Sequence, residues 1–207
     1  MKLLDLFCGM GGFSIGFHRE GFHCLGVDQV DVGYPYDFIQ SDIRKFHTNQ
    51  SFDVVIAGPP CTEFSPLTKL SAYKGQREQP NPEKGMELVR EAKRLVDEIK
   101  PRFWMIENVA GSIQHIEKEL GSPSWKIRPW YLWGNLPPFL IDAPKVEKGT
   151  HAEKLPNGKW LITKRGDRLG LPEDFPFDPM RSWKRARFPL PLSLVLAKAC
   201  KATILGG

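Results

Sequence analysis

The segment that most restricts the fold is Phe52-Asp-Val-Val-Ile-Ala-Gly-Pro-Pro-Cys61. It is apolar and β-branched, carries no charge after Asp53, and ends on Gly58-Pro59-Pro60, so it reads as a buried strand with a hard stop. The prolines remove ladder donors and fix φ, which delivers Cys61 from the strand end on a stiffened backbone. A thiol presented there, followed by polar Thr62-Glu63, is placed as a nucleophile would be. Taken alone, the same cysteine is more often a small, inert core hydrophobe behind prolines that merely end a strand.

Other segments repeat the pattern. Lys2-Leu-Leu-Asp-Leu-Phe7 predicts a first strand that runs into Cys8-Gly-Met-Gly-Gly12, followed by a helix from about Phe13 to Arg19. His23-Cys-Leu-Gly-Val27 predicts a second strand ending at Asp28, and a short third strand is expected near Ser41-Asp42-Ile43. The strand before Cys61 is the fourth. Residues 66–84 are polar and rich in Lys, Gln, Asn and Pro, a long loop able to close over a site. From Glu83 to Ile99, Met86, Leu88, Val89, Ala92, Leu95, Val96 and Ile99 recur at helical spacing until Pro101 stops the helix. Phe103-Trp-Met-Ile106 predicts a fifth strand ending at Glu107-Asn108, and Trp130-Tyr-Leu-Trp133 a sixth. Strands alternating with helices in this way predict an α/β fold with a doubly wound, mostly parallel sheet. Gly9, Asp28, Asp42, Cys61 and Glu107 all fall at or just past predicted strand ends, the edge at which such sheets bind ligands.

The rhythm breaks after Gly134. Pro156-Asn157-Gly158 predicts a hairpin turn between Glu153–Leu155 and Lys159–Ile162, and a final helix of about Leu190–Leu205 should return to the core. The expected organisation is one α/β domain made of residues 1–135 and 187–207, with 136–186 as a small insert. Residues 143–187 hold eleven Lys/Arg against six Asp/Glu, which accounts for the whole formal charge of +5. That clustering suits a polyanionic partner, although a solvated basic face has the same composition. No apolar stretch is long enough to span a bilayer, so no membrane partner is expected. The four cysteines form no CxxC pair, which argues against a metal site or a disulfide framework and for a reducing, cytoplasmic setting.

The glycine-rich turn Phe7-Cys-Gly-Met-Gly-Gly12 lets backbone approach a ligand, with free N–H groups at the helix that follows. Such a turn serves nicotinamide, flavin and S-adenosyl-L-methionine sites alike, or simply a crowded bend. Asp28 suits a ribose diol, since a carboxylate can accept two hydroxyl protons. Asp42 suits the exocyclic amine of an adenine, and Ile43 its ring. Each acid alone is more often a loop or capping residue; the signal is the ordered set at successive strand ends.

The chain resembles the cytosine-C5 DNA methyltransferases. Asp5-Leu-Phe-Cys-Gly-Met-Gly-Gly12 is similar to their Phe-x-Gly-x-Gly cofactor motif, Gly58-Pro-Pro-Cys61 with Phe64-Ser65 to their nucleophile motif, and Glu107-Asn108-Val109 to their third signature, all in family order. Arg187-Phe-Pro-Leu-Pro-Leu192 resembles the last motif, without the usual Gly-Asn before it. The resemblance implies a Rossmann-like S-adenosyl-L-methionine fold, with Phe7, Gly9, Gly11, Gly12, Asp28, Asp42, Ile43 and Pro59 holding the cofactor. It implies that Cys61 adds as a thiolate to C6 of a cytosine flipped out of double-stranded DNA, and that Glu107, as an acid at N3, stabilises the charge that develops. Asn108 would hold the loops around that acid, and Pro60 and Ser65 would face the nucleic acid. A monomer acting without a metal is implied.

Departures accompany the likeness. The family's Gln after the nucleophile is replaced by Thr62-Glu63, and its Gln-x-Arg-x-Arg motif is reduced to Lys126-Ile-Arg128-Pro129. Arg128 is carried over as a cation toward the base or Cys61, or is a surface arginine. The usual large target-recognition region shrinks to the basic insert, where Lys159, Lys164 and Arg165 are candidate phosphate contacts. Trp160 there either enters a groove or packs on the domain. Competing expectations are tRNA methylation by the same chemistry and a non-catalytic nucleic-acid-binding regulator that keeps the fold. A nicotinamide dehydrogenase is the weakest, since nothing in it calls for Pro59-Pro60-Cys61 with Glu107-Asn108-Val109.

Overall fold

The computed structural model describes residues 1–64, 79–127, 130–137, 150–154, 160–164 and 188–206, with backbone alone for residues 127, 150–154 and 160–164. Strands β1 (Lys2–Leu6), β2 (His23–Asp28), β3 (Asp37–Gln40), β4 (Val54–Ala57), β5 (Phe103–Val109), β6 (Trp125–Ile127) and β7 (Trp130–Asn135) form one sheet in the order β3-β2-β1-β4-β5-β7-β6. The first five are parallel, and β7 and β6 are added antiparallel. The doubly wound, mostly parallel sheet expected from the sequence is present.

Both faces are covered, which is why the central strands read as continuous apolar runs. On one face Leu3, Val54, Ile56 and Met105 meet Phe17 of α1 (Ser14–Arg19) and Leu192, Leu196 and Cys200 of α4 (Leu190–Gly206). On the other, Leu4, Leu6, Val55 and Ile106 meet Ala92, Leu95 and Val96 of α2 (Pro82–Ile99). Asn81 caps α2 by accepting the Glu83 N–H at 3.0 Å, Pro82 occupies the first turn, and Lys100 closes it in the left-handed region just before Pro101. The terminal helix does return to the core. Ser193 Oγ accepts the Gly16 N–H at 3.0 Å and donates to the Phe13 carbonyl, while Phe188 stacks on Phe13 with ring centroids 3.8 Å apart.

Three features differ from expectation. β5 does not end at Glu107-Asn108 but runs to Val109, because β7 pairs with it antiparallel and matches Glu107 to Leu132 and Asn108 to Tyr131. Glu107 and Asn108 therefore stand within the strand rather than at its end. A helix α3 (Ile113–Leu120) and the three-residue β6 follow, neither of them anticipated. Ile113, Ile116 and Leu120 carry the helical period, but over two turns, and β6 is too short to show any period. The predicted hairpin forms as β8 (Thr150–Lys154) and β9 (Trp160–Lys164), paired antiparallel from Thr150↔Lys164 to Lys154↔Trp160. Its turn lies outside the described residues.

Helices α1 and α4 touch through backbone, since a Cβ on Gly16 would collide with Ser193. Gly16→Ala should therefore cost about 2 kcal/mol, as overpacking a tight seam does. Urea denaturation checks this, and an unchanged midpoint would contradict it.

Candidate active site

The strand order turns back at β1, which has β2 on one side and β4 on the other. The loop after β1 and the turn after β4 thus leave the same sheet edge side by side, the position at which open α/β sheets bind ligands. In the first loop, the Phe7 N–H extends the ladder to the Val27 carbonyl at 2.8 Å, and the chain then reverses with φ +58° at Phe7, +49° at Gly9 and +78° at Gly11. A bulky residue at positive φ is uncommon, so Phe7 marks a constrained turn. Asp28 holds the loop from β2: its Oδ2 accepts the Gly9 N–H at 3.0 Å and its Oδ1 the Val30 N–H at 3.2 Å.

Beneath this loop lies a buried polar cluster. Ser14 Oγ donates to Asp5 Oδ2 at 2.6 Å and lies 2.5 Å from the Tyr34 hydroxyl. Burial pushes the Asp5 carboxyl up to about 7, opposed by the Ser14 hydrogen bond and reinforced by Asp28. The Cys8 and Cys24 thiols beside it are raised by the same burial.

Cys61 opens a single 3-10 turn (Cys61–Glu63) closed by the Phe64 N–H to the Cys61 carbonyl at 3.0 Å. Of the four thiols it alone is half-buried; Cys8, Cys24 and Cys200 are buried. Burial raises its pKa, and the Glu107 carboxylate raises it further. Glu107 projects from β5 toward Gly58, where a Cβ would come within 4.0 Å of Glu107 Oε2. Although part of the side chain reaches solvent, burial lifts its carboxyl to about 8. Asn108, fully buried, donates from Nδ2 to the Pro59 carbonyl at 3.1 Å and accepts the Val109 N–H at Oδ1. That bond ties the strand bearing Glu107 to the prolines before Cys61. Pro59 is buried and Pro60 is exposed.

The remaining expected residues are placed less uniformly. Asp42 lies just past β3 with its carboxylate forked by Arg44, Nη2 to Oδ2 at 2.6 Å and Nε to Oδ1 at 3.0 Å, which holds it well below the usual carboxylate range. Ile43 is buried among Leu4, Leu6 and Val27. Gly12 is half-buried in the turn that enters α1. Ser65, Arg128, Lys159 and Arg165 lie outside the described residues, and Lys164 is described only as the backbone end of β9. Sequence reasoning missed Ser14, Tyr34 and Arg44, whose roles depend on side-chain packing that no spacing reveals.

Residues 1–122 match the family model described as C-5 cytosine-specific DNA methylase, well over half of the chain. The chain belongs to that family. It is 34% identical over 132 residues to the Type II methyltransferase M1.HphI of Haemophilus parahaemolyticus, covering 56% of this chain and 34% of that one. It is 32% identical over 114 residues to a protein of Frog virus 3 named "Probable DNA (cytosine-5)-methyltransferase", covering 52% and 53%. The Type II methyltransferase M.FnuDI of Fusobacterium nucleatum is 32% identical over 123 residues, covering 55% and 33%. The chain thus spans between a third and about half of the length of these relatives.

In this family member Asp5 should make stability depend on pH. Its folded pKa lies above its unfolded one, so its contribution is fully present below pH ~4 and is lost as pH rises through about 7. The loss amounts to roughly 4 kcal/mol for a shift of this size. Asp5→Asn should flatten the fall in unfolding free energy over that window, read from urea titrations at several pH values. An unchanged slope would place the dependence elsewhere.

Proposed function

We propose that the chain transfers a methyl group from S-adenosyl-L-methionine to C5 of cytosine in DNA. The observation that carries this reading is that Glu107 reaches toward Gly58 at the sheet edge, close enough for its charge to act on the Cys61 thiol, while Asn108 ties its strand to the Pro59 carbonyl before Cys61. The glycine loop fits the cofactor. Asp28 uses one lone pair on each oxygen for the Gly9 and Val30 N–H groups and keeps another on each for a ribose diol. Phe7, Gly9, Gly11, Gly12 and Pro59 would line the remainder, and an amine reaching Asp42 has to share that carboxylate with Arg44. When bound, the cofactor supplies an electrophilic methyl group.

The protein residues divide the remaining chemistry. Cys61 adds through sulfur to C6 of the flipped base, forming a C–S bond and displacing electron density toward N3. Glu107, protonated through neutral pH, donates a hydrogen bond at N3 and stabilises that density. Once C5 carries the transferred methyl group, loss of the C5 proton to a water-derived base lets the C–S bond break and releases Cys61. Pro60, exposed beside the thiol, and Ser65 would bound the base. Lys159, Lys164 and Arg165 would contact phosphates, and Arg128 would supply positive charge near the thiolate. The protein would act as a monomer in the cytoplasm.

Duplex DNA and tRNA incubated in parallel with labelled cofactor test the reading. Label should enter DNA as 5-methylcytosine, and Cys61→Ser should abolish turnover while leaving cofactor affinity within about twofold. Cofactor binding without DNA methylation would overturn it; transfer to tRNA alone would move the substrate to RNA.

The pH profile follows from the two shifted groups. Catalysis needs Cys61 as thiolate and Glu107 as acid, yet Glu107 titrates near 8, below Cys61. The value of kcat/KM should rise with the thiolate fraction up to pH ~8 and level off there as Glu107 loses its proton. Glu107→Gln has no proton to lose. Its rate should be about 10²-fold or more lower but still rising past pH 8. A variant that levels off where the wild type does would show that Glu107 is not the titrating acid.

A further inference from the structure

A single 3-10 turn has one internal hydrogen bond, so the direction of the Cys61 thiol depends on how the two ends of its turn are mounted. The leading end is held by Asn108 at the Pro59 carbonyl. At the trailing end, Glu63 Oε2 accepts the Asn81 N–H at 2.6 Å, and Asn81 is the residue that caps α2. The Phe64 ring is buried with Met86, Val89, Ile116 and Trp133, and lies so close over Gly85 that a Cβ there would collide with it. The Cβ of Glu63 also lies 3.1 Å from that same position. The turn is therefore docked on the first turn of α2 by one charged acceptor and one aromatic ring.

The Glu63 carboxylate is well matched to this place. The N–H groups at a helix start lack intrahelical partners, and the positive end of the helix favours an anion. Asn81 satisfies the Glu83 N–H with its own side chain, while its backbone N–H goes to Glu63 across 18 residues of chain.

We infer that Glu63 is a positioning residue for the Cys61 nucleophile, aiming the thiol by clamping its turn to the N-terminus of α2. This rests on the reading of Cys61 as the nucleophile and adds a residue that touches neither base nor cofactor. It also gives a purpose to the departure at Thr62-Glu63: the trailing end of the turn is held by a carboxylate. A charge at this position is not required. An acceptor is, and glutamine supplies one through its amide oxygen.

The test compares Glu63→Ala and Glu63→Gln with the wild type in methylation of duplex DNA, and in the rate of iodoacetamide alkylation at Cys61 followed by mass spectrometry. Cys61 is the partly exposed thiol, so its alkylation is separable from that of buried Cys8, Cys24 and Cys200. Glu63→Ala should lower kcat about tenfold or more with KM for the cofactor unchanged, the scale expected from misdirecting a reacting group. It should also change the alkylation rate at least about threefold at unchanged folding temperature. Glu63→Gln should stay within about twofold of wild type in both readouts. Wild-type kcat and alkylation in Glu63→Ala would overturn the inference, as would a Glu63→Gln variant impaired as badly as the alanine. If the wild type methylates nothing, the proposed activity fails, and the alkylation comparison still decides the positioning role.

Discussion

Leu6 and Ala57 face each other across the parallel pair β1–β4, and Gly58 continues that ladder by donating to the Leu6 carbonyl at 3.1 Å. The candidate site depends on this register. It brings Phe7–Gly12 and Gly58–Cys61 off the sheet at the same height, with no chain crossing between them. A shift of one residue would turn Leu4 and Leu6 out of one core and into the other, so burial on both faces fixes the register strongly. β5 then adds Glu107 from the far side of β4, through the pairing of Ala57 with Ile106. Three motifs distant in sequence become neighbours because three adjacent strands bring them to the same edge of the sheet.

The site is electrostatically costly where the chemistry needs it. Cys61 and Glu107 both sit where burial disfavours their charged forms, and the Glu107 carboxylate further disfavours the charge on Cys61. Under the proposed reading, which calls for one thiolate and one neutral acid, this arrangement helps on the Glu107 side and hinders on the Cys61 side. Asn108 ties the strand of Glu107 to the prolines before Cys61. Its amide is satisfied at both ends, by the Pro59 carbonyl and the Val109 N–H, so a fully buried polar residue costs little. Asp5 is different: its raised carboxyl lies beneath the glycine loop and accepts the Ser14 hydroxyl, which ties β1 to α1.

What the sequence revealed follows the range of the interactions. β1, β4, α2 and α4 are set by local apolar runs, caps and prolines, and they lie where the residues indicate. The extension of β5 through Glu107 and Asn108 is not local, because it exists only through antiparallel pairing with β7 some 25 residues later. Cys61, Glu107 and Asn108 stand out as candidates because their motifs carry their order; the Asn108–Pro59 hydrogen bond that ties their supports together cannot be read from the sequence. Asp42 illustrates the opposite case. Its position past β3 was readable, but its capture by Arg44, two residues on, depends on a rotamer rather than on spacing. Glu63 stood in plain view as a departure from the family pattern, yet its partner Asn81 is fixed only once α2 packs beside the Cys61 turn.

Charge is divided along the chain in a way that matches this separation. Three of the four cations of α2 are answered by nearby acids: Arg90 by Glu83 and Glu119, Lys93 by Asp97, and Arg94 by Glu91 and Glu98. A face of matched pairs releases few counterions to a polyanion and attracts it weakly. The unmatched charge lies in residues 143–187, where eleven cations stand against six acids. Under the proposed reading, then, the scaffold that aims Cys61 contributes little general affinity for nucleic acid. The basic segment supplies that affinity without taking part in the chemistry. Neutralising cations in 143–187 should weaken binding and its salt dependence together while the intrinsic reactivity of Cys61 stays the same, because the clamps on Cys61 come from β5 and α2.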